Sequence, residues 1–163
     1  MSDEVTIRPA LEHETPLILQ FVRELAQYER LEEQMAAEEA QMRAALFGPR
    51  PYAEVVFACW EAEPVGFALF FHNFSTFLGR PGIYLEDLFV RPGFRGRGLG
   101  RRLLAWLAKL AVERGCGRLE WAVLDWNAPA VGFYRSLGAV AMDEWTVFRL
   151  TGPALEALAG RPG

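Results

Sequence analysis

The stretch Ile83-Tyr84-Leu85-Glu86-Asp87-Leu88-Phe89-Val90, followed through Arg91-Pro92-Gly93-Phe94 by Arg95-Gly96-Arg97-Gly98-Leu99-Gly100, decides the fold. Its first eight residues are rich in strand formers, and the apolar spacing after it predicts a helix beginning near Leu99. A glycine-rich turn between a strand and a helix suits an anion. Glycines allow tight turns with exposed N–H groups, and a helix start adds unpaired donors and a positive dipole end. Arg95, Arg97, Arg101 and Arg102 add formal charge at the same spot. Solvated arginines on an ordinary turn are the competing structural explanation.

Outward from that stretch the chain reads as alternating elements. Val5 to Arg8 suits an edge strand. Thr15-Pro16 opens a helix with Leu17, Phe21, Leu25 and Tyr28 on one face, ending near Glu29, and a second helix is expected from Ala37 to Phe47. Glu54 to Trp60 and Val65 to Phe74 flank Glu61-Ala62-Glu63-Pro64 and read as a hairpin, with Arg80-Pro81-Gly82 as the next break. Leu99, Leu103, Trp106, Leu107 and Leu110 form an apolar helical stripe that Gly115 or Gly117 can end. Arg118 to Leu124 then completes a βαβ unit with parallel pairing. Pro129 opens a short helix reaching Leu137, Glu144 to Leu150 reads as a last strand, and Pro153 to Ala159 as a terminal helix. The expected class is α/β, a single domain over residues 1–163 with a mixed central sheet flanked by helices, in the order β-α-α-β-β-β-α-β-α-β.

Composition narrows the partners. A chain of 163 residues with 52% hydrophobic and 23% charged residues can bury a full core, and no apolar run reaches the ~18 residues of a membrane span. Met1-Ser2-Asp3-Glu4 lacks the basic and apolar segments of a secretion signal, so a cytoplasmic location is expected. Cys59 and Cys116 form no CxxC pair, and with only two histidines no metal site is expected. Residues 91–102 hold five arginines and no acid, whereas the remainder has 12 basic against 21 acidic residues. A local basic patch on an acidic body argues against nucleic-acid binding and favours one discrete anionic ligand.

Spacing identifies that anion. A P-loop needs Gly-Lys before Ser or Thr, whereas Gly100 is followed by Arg101-Arg102. A dinucleotide fingerprint needs G-x-G-x-x-G, and Gly96, Gly98 and Gly100 are spaced G-x-G-x-G. Arg95-x-x-Gly98-x-Gly100 fits the R/Q-x-x-G-x-G/A loop that holds the pyrophosphate of coenzyme A.

With that loop the chain resembles the GNAT superfamily of acyl-CoA-dependent N-acetyltransferases and, within it, the spermidine/spermine N-acetyltransferases. Arg23 to Glu29 resembles that subfamily's first helix, and Tyr84 to Val90 its central strand. Trp126-Asn127-x-Pro129 and Phe133-Tyr134 recur as well, so the likeness runs from Ile7 to the terminal helix. The resemblance implies acetyl-CoA as co-substrate, without a metal. The backbone of Leu88, Phe89 and Val90 is then expected to hold the pantetheine arm like an added strand. Arg95, Gly96, Arg97, Gly98, Leu99 and Gly100 would hold the pyrophosphate, with Asn127 and Tyr134 on the cofactor's other side. Taken alone, Asn127 reads better as a loop or helix cap before Pro129, and its company with Trp126 and Tyr134 shifts the reading to cofactor contact. Subfamily members are typically homodimers, which the resemblance carries over as an expectation.

Acetyl transfer to an amine needs a proton acceptor and a proton donor. Glu86 stands in an otherwise apolar strand, where an acid is unexpected unless paired or functional. Strand alternation puts Glu86 and Asp87 on opposite faces, and the resemblance selects Glu86 as base. Tyr134 matches the superfamily's general acid, able to protonate a departing thiolate, while Phe133 packs. Neither cysteine has a histidine or lysine beside it, so direct attack is expected rather than a covalent enzyme intermediate. For the amine, Tyr28 and Glu29 match the subfamily's binding pair, Glu120, Trp121 and Ala122 its strand contacts, and Glu144 lies near another acidic contact. The segment Ala141 to Trp145 is shorter than the subfamily's, which weakens Glu144 and the case for long polyamines. The acceptor is expected to be a diamine or polyamine, with a lysine-like amino acid such as thialysine as the alternative. A CoA-binding module without turnover is the reading from outside catalysis.

Overall fold

The computed structural model describes residues 4–160. Met1 to Asp3, at the head of the stretch read for a secretion signal, and residues 161–163 lie outside the described residues. The chain divides into two compact units, Met1–Leu124 and Asp125–Gly163, each described by itself.

The first unit is a five-stranded sheet in sequential order. It comprises β1 (Val5–Pro9), α1 (Thr15–Tyr28), α2 (Glu39–Phe47), β2 (Glu54–Trp60), β3 (Glu63–Ser75), β4 (Arg80–Val90), α3 (Leu99–Glu113) and β5 (Leu119–Trp121). Neighbouring strands from β1 to β4 are antiparallel, and α3 carries the chain across to β5, which pairs parallel with β4. The hairpin between β2 and β3 turns on Glu61 and Ala62 alone, with φ of 49° and 70°. Positive φ at both turn residues matches the twist of the flanking strands.

On one face of the sheet α1 and α2 cover Phe57, Phe67, Val55 and Phe89. Phe21 is fully buried there, stacked on Phe67 at 5.5 Å and tilted against Phe57 at 5.7 Å. The bidentate pair Arg91–Glu24, at 3.1 Å for both bonds, fastens α1 to the end of β4. On the other face α3 buries Leu99, Leu103, Leu104 and Leu107, and Trp106 meets Phe70 edge-on at 6.4 Å. Gly115, at φ 72°, ends α3, with its amide donating to Val112 and the Cys116 amide to Ala111 at 2.8 Å. That double bond closes the helix's last carbonyls.

The second unit holds α4 (Ala128–Ser136) and α5 (Gly152–Gly160). The expected order therefore holds from β1 to α4, and three expectations need correction. Arg80-Pro81-Gly82 is not a break but the start of β4, paired with Ser75, Phe74 and Asn73. The strand read over Arg118 to Leu124 shortens to Leu119–Trp121, leaving Ala122 outside it. Glu144 to Leu150 forms no strand, because a strand exists only through a ladder partner and none is described within Asp125–Gly163.

Phe21→Ala should cost about 3–5 kcal/mol, since it empties a fully enclosed aromatic site. Calorimetry should register a fall in Tm of roughly 6–20 °C, and a loss under about 3 °C would mean that α1 does not rest on this cluster.

Candidate active site

Strand β4 carries the site because its alternation is interrupted. Asp87 pairs with Leu69 but Leu85 pairs with Phe70, so Glu86 is an extra residue with no partner on β3. Such a bulge reverses the facing of everything beyond it. Leu85 lies with Phe70 on the α3 side, whereas Asp87 lies with Leu69 and Phe89 on the α1 side. The regular alternation from which opposite faces were expected for Glu86 and Asp87 is therefore interrupted at Glu86 itself.

The consequence is a concentration of acid. Burial, then Glu86, then Glu29 push the Asp87 carboxyl from 3.8 up to about 7. Burial and Glu86 likewise raise the Glu29 carboxyl. Burial raises the Tyr84 hydroxyl, with Glu86 and Glu120 adding to it. Among the described residues no arginine or lysine is ion-paired with Glu29, Glu86 or Asp87.

Helix α1 delivers Tyr28 and Glu29 to this place and stops there. Arg30 takes a left-handed φ of 61°, and the Leu31 amide donates to Ala26 at 2.8 Å. A non-glycine residue in that conformation costs on the order of 1 kcal/mol, a strain stored beside the acidic cluster. Tyr28 lies 6.4 Å from Phe89, ring centre to ring centre.

The open edge of β4 completes the arrangement. Pairing with β5 ends at Leu85↔Trp121, so among the described residues Glu86 to Val90 have a strand partner only on the β3 side. Directly beyond, Gly96 and Gly98 adopt φ of 77° and 80°, and a Cβ on either would meet nothing within 4 Å. The first amide in the α3 ladder is that of Arg102, donating to Gly98 at 3.0 Å, so the amides of Leu99, Gly100 and Arg101 precede it. Arg95 donates from Nε to the Val90 carbonyl at 2.8 Å and lies 4.7 Å over Tyr28. Arg97 lies 4.7 Å over Trp60. A free strand edge, an uncapped helix start and two arginines make a continuous place for an extended chain ending in phosphate.

A family model described as "Acetyltransferase (GNAT) family" matches residues 18–139. This chain belongs to that family. A thialysine N-epsilon-acetyltransferase of Bos taurus is 40% identical over 168 residues, covering 96% of this chain and 98% of that protein. An L-ornithine N5-acetyltransferase of Arabidopsis thaliana is 32% identical over 197 residues, covering 93% of this chain and 86% of that protein. Among solved structures, an integron cassette protein from the mobile metagenome of V. cholerae superposes with a TM-score of 0.81 at 29% identity, covering 98% of this chain and all of that one. The chain is thus an N-acetyltransferase with the mixed α/β fold of its family.

Within this acetyltransferase the expected residues separate into two sets. Tyr28, Glu29, Glu86, Leu88, Phe89, Val90, the loop from Arg95 to Gly100, Glu120, Trp121 and Ala122 belong to the first unit. Asn127, Tyr134 and Glu144 belong to the second. Asn127 is the N-cap of α4, its Oδ1 accepting from the Ala130 amide at 3.4 Å. Tyr134 lies on α4 beside Phe133, and Glu144 in a turn where the Trp145 amide donates to Met142 at 3.2 Å. Asp87 and Tyr84 are the residues that strand alternation passed over. Two adjacent acids in an apolar strand were the visible signal.

Because the folded state raises the Asp87 pKa from 3.8 to about 7, its contribution is fully favourable below about pH 4 and is lost as pH rises toward 7. Asp87→Asn should therefore raise Tm relative to the parent by more at pH 8 than at pH 5. Melts at the two pH values check this, and an equal or reversed difference would mean that the carboxyl ionises normally.

Proposed function

We propose that this acetyltransferase moves the acetyl group of acetyl-CoA to a primary amine of a small cationic acceptor by direct attack. The observation that carries the reading is the group Glu29, Glu86 and Asp87 at the bulge, without an ion-paired cation among the described residues, beside the open edge of β4. When bound, acetyl-CoA supplies a thioester activated for acyl transfer. Leu88, Phe89 and Val90 would bind its pantetheine arm through backbone groups, and the amides and arginines from Arg95 to Gly100 would hold its pyrophosphate. Asn127 and Tyr134 would contact it from α4.

The acceptor arrives protonated. An alkylammonium with pKa ~10.4 is neutral about once in 2,500 molecules at pH 7, so supplying the free amine costs roughly 4.6 kcal/mol. The acidic face attracts the cation, with Tyr28, Glu29, Glu120, Trp121 and Ala122 lining its approach and Glu144 as a further acidic contact. Glu86 accepts its proton directly or through water. Tyr134 returns a proton to the departing sulfur. The relatives named above act, by name, on thialysine and ornithine, which supports a terminal amine on a short aliphatic chain; a diamine or polyamine presents the same group. A homodimer and a cytoplasmic location belong to the same proposal.

Tyr134→Phe should still show a ligand-induced rise in Tm with acetyl-CoA, while kcat falls about 10²–10⁴-fold. Full activity in this variant would remove Tyr134 from the chemistry. Stabilisation by NAD or ATP instead of CoA would remove the cofactor assignment.

A further inference from the structure

Beyond Tyr84 the acidic face changes character. Glu120 is the register partner of Tyr84 across the parallel pair, and Arg118 stands at the entrance to β5, its carbonyl accepting from the Ile83 amide at 3.0 Å. Arg118 Nε stands 2.8 Å from Glu120 Oε1 in an ion pair, and Asn73 Nδ2 donates to the same oxygen at 3.0 Å. Glu120 is compensated where it stands, unlike the three carboxylates at the bulge.

Arg118 is exposed, and the stem of its side chain is held against the sheet. Its Cγ lies against Gly82, where a Cβ would come within 3.3 Å of it and would strike Asn73 Oδ1. That Oδ1 is buried and accepts no hydrogen bond among the described residues. With Nε facing Glu120, the guanidinium carries two further donor nitrogens, Nη1 and Nη2. They form a fork with the geometry that receives a carboxylate in two parallel hydrogen bonds. Glu86 and Tyr84, the level at which Arg118 meets Glu120, are two residues apart on β4. Two regular strand residues would span about 6.6 Å and the bulge shortens this, which keeps the separation along β4 within the reach of a lysine-like aliphatic chain.

One face therefore presents negative charge at the bulge and a pinned guanidinium one short aliphatic chain away. We infer that Arg118 is a specificity residue that binds the carboxylate of an amino-acid acceptor whose terminal amine lies at Glu86, and that it repels the second ammonium of a polyamine. This rests on the amine-acetylation reading above and adds the class of acceptor and the residue that reads it.

L-lysine and cadaverine test this directly, because they share the terminal amine and chain while only lysine carries a carboxylate. The parent enzyme should show the higher kcat/KM with lysine. Arg118→Gln should shift the lysine-to-cadaverine ratio of kcat/KM about tenfold toward cadaverine, through KM with kcat unchanged, and Arg118→Lys should restore part of it. Glu120→Gln should move the ratio the opposite way, and it carries the test should Arg118→Gln fail to fold. A parent that prefers cadaverine, or a ratio indifferent to both variants, overturns the inference while leaving amine acetylation intact. If neither amine is acetylated although acetyl-CoA still raises Tm, the amine-transfer reading fails and the inference with it.

Discussion

The one-residue insertion at Glu86 is the constraint on which the rest of the site depends. Without it, Leu85 and Asp87 would share a face, and the α3 core and the acidic cluster would compete for the same side of the sheet. With it, β4 supplies apolar residues to α3 before the bulge and carboxylates to the α1 side after it. The same place is where pairing with β5 stops, so among the described residues Glu86 to Val90 have a strand partner only on the β3 side.

The charge distribution follows from that geometry. Three carboxylates converge near the end of α1 without a described cation among them, which is unfavourable for the protein alone and raises Asp87 and Glu29. Fixed repulsion of this kind is relieved by a bound cation. The opposite demand is met a few residues away, where Gly96 and Gly98 free the backbone and α3 begins uncapped. Acidic side chains at the bulge and the glycine-freed backbone after Val90 thus follow one another along a single stretch of chain. The Arg95 side chain, bonded to Val90 and stacked on Tyr28, stands between them.

Much of this was legible in the sequence, because local signals agreed. Strand β2 is legible residue for residue in its β-branched run and the turn after it, and α3 in one apolar stripe with Gly115 or Gly117 to end it. The glycine-rich loop was legible because its two positive-φ positions favour glycine. The bulge was not, since it is a property of the register between β3 and β4 and leaves no mark on β4 alone. The Arg118, Glu120 and Asn73 cluster joins residues 47 apart in the chain and was equally hidden. The segment from Glu144 to Leu150 has a strand's composition without a strand's partner, which composition cannot supply.

The account stands on a cationic amine being the acceptor at the bulge. The most direct measurement follows CoA release from acetyl-CoA across thialysine, lysine, putrescine, spermidine, spermine and an aminoglycoside, with the product identified by mass spectrometry. The account predicts that CoA release is matched, mole for mole, by an N-acetylated product of at least one short cationic amine. Binding of acetyl-CoA with no acetylated amine from any of them would contradict it.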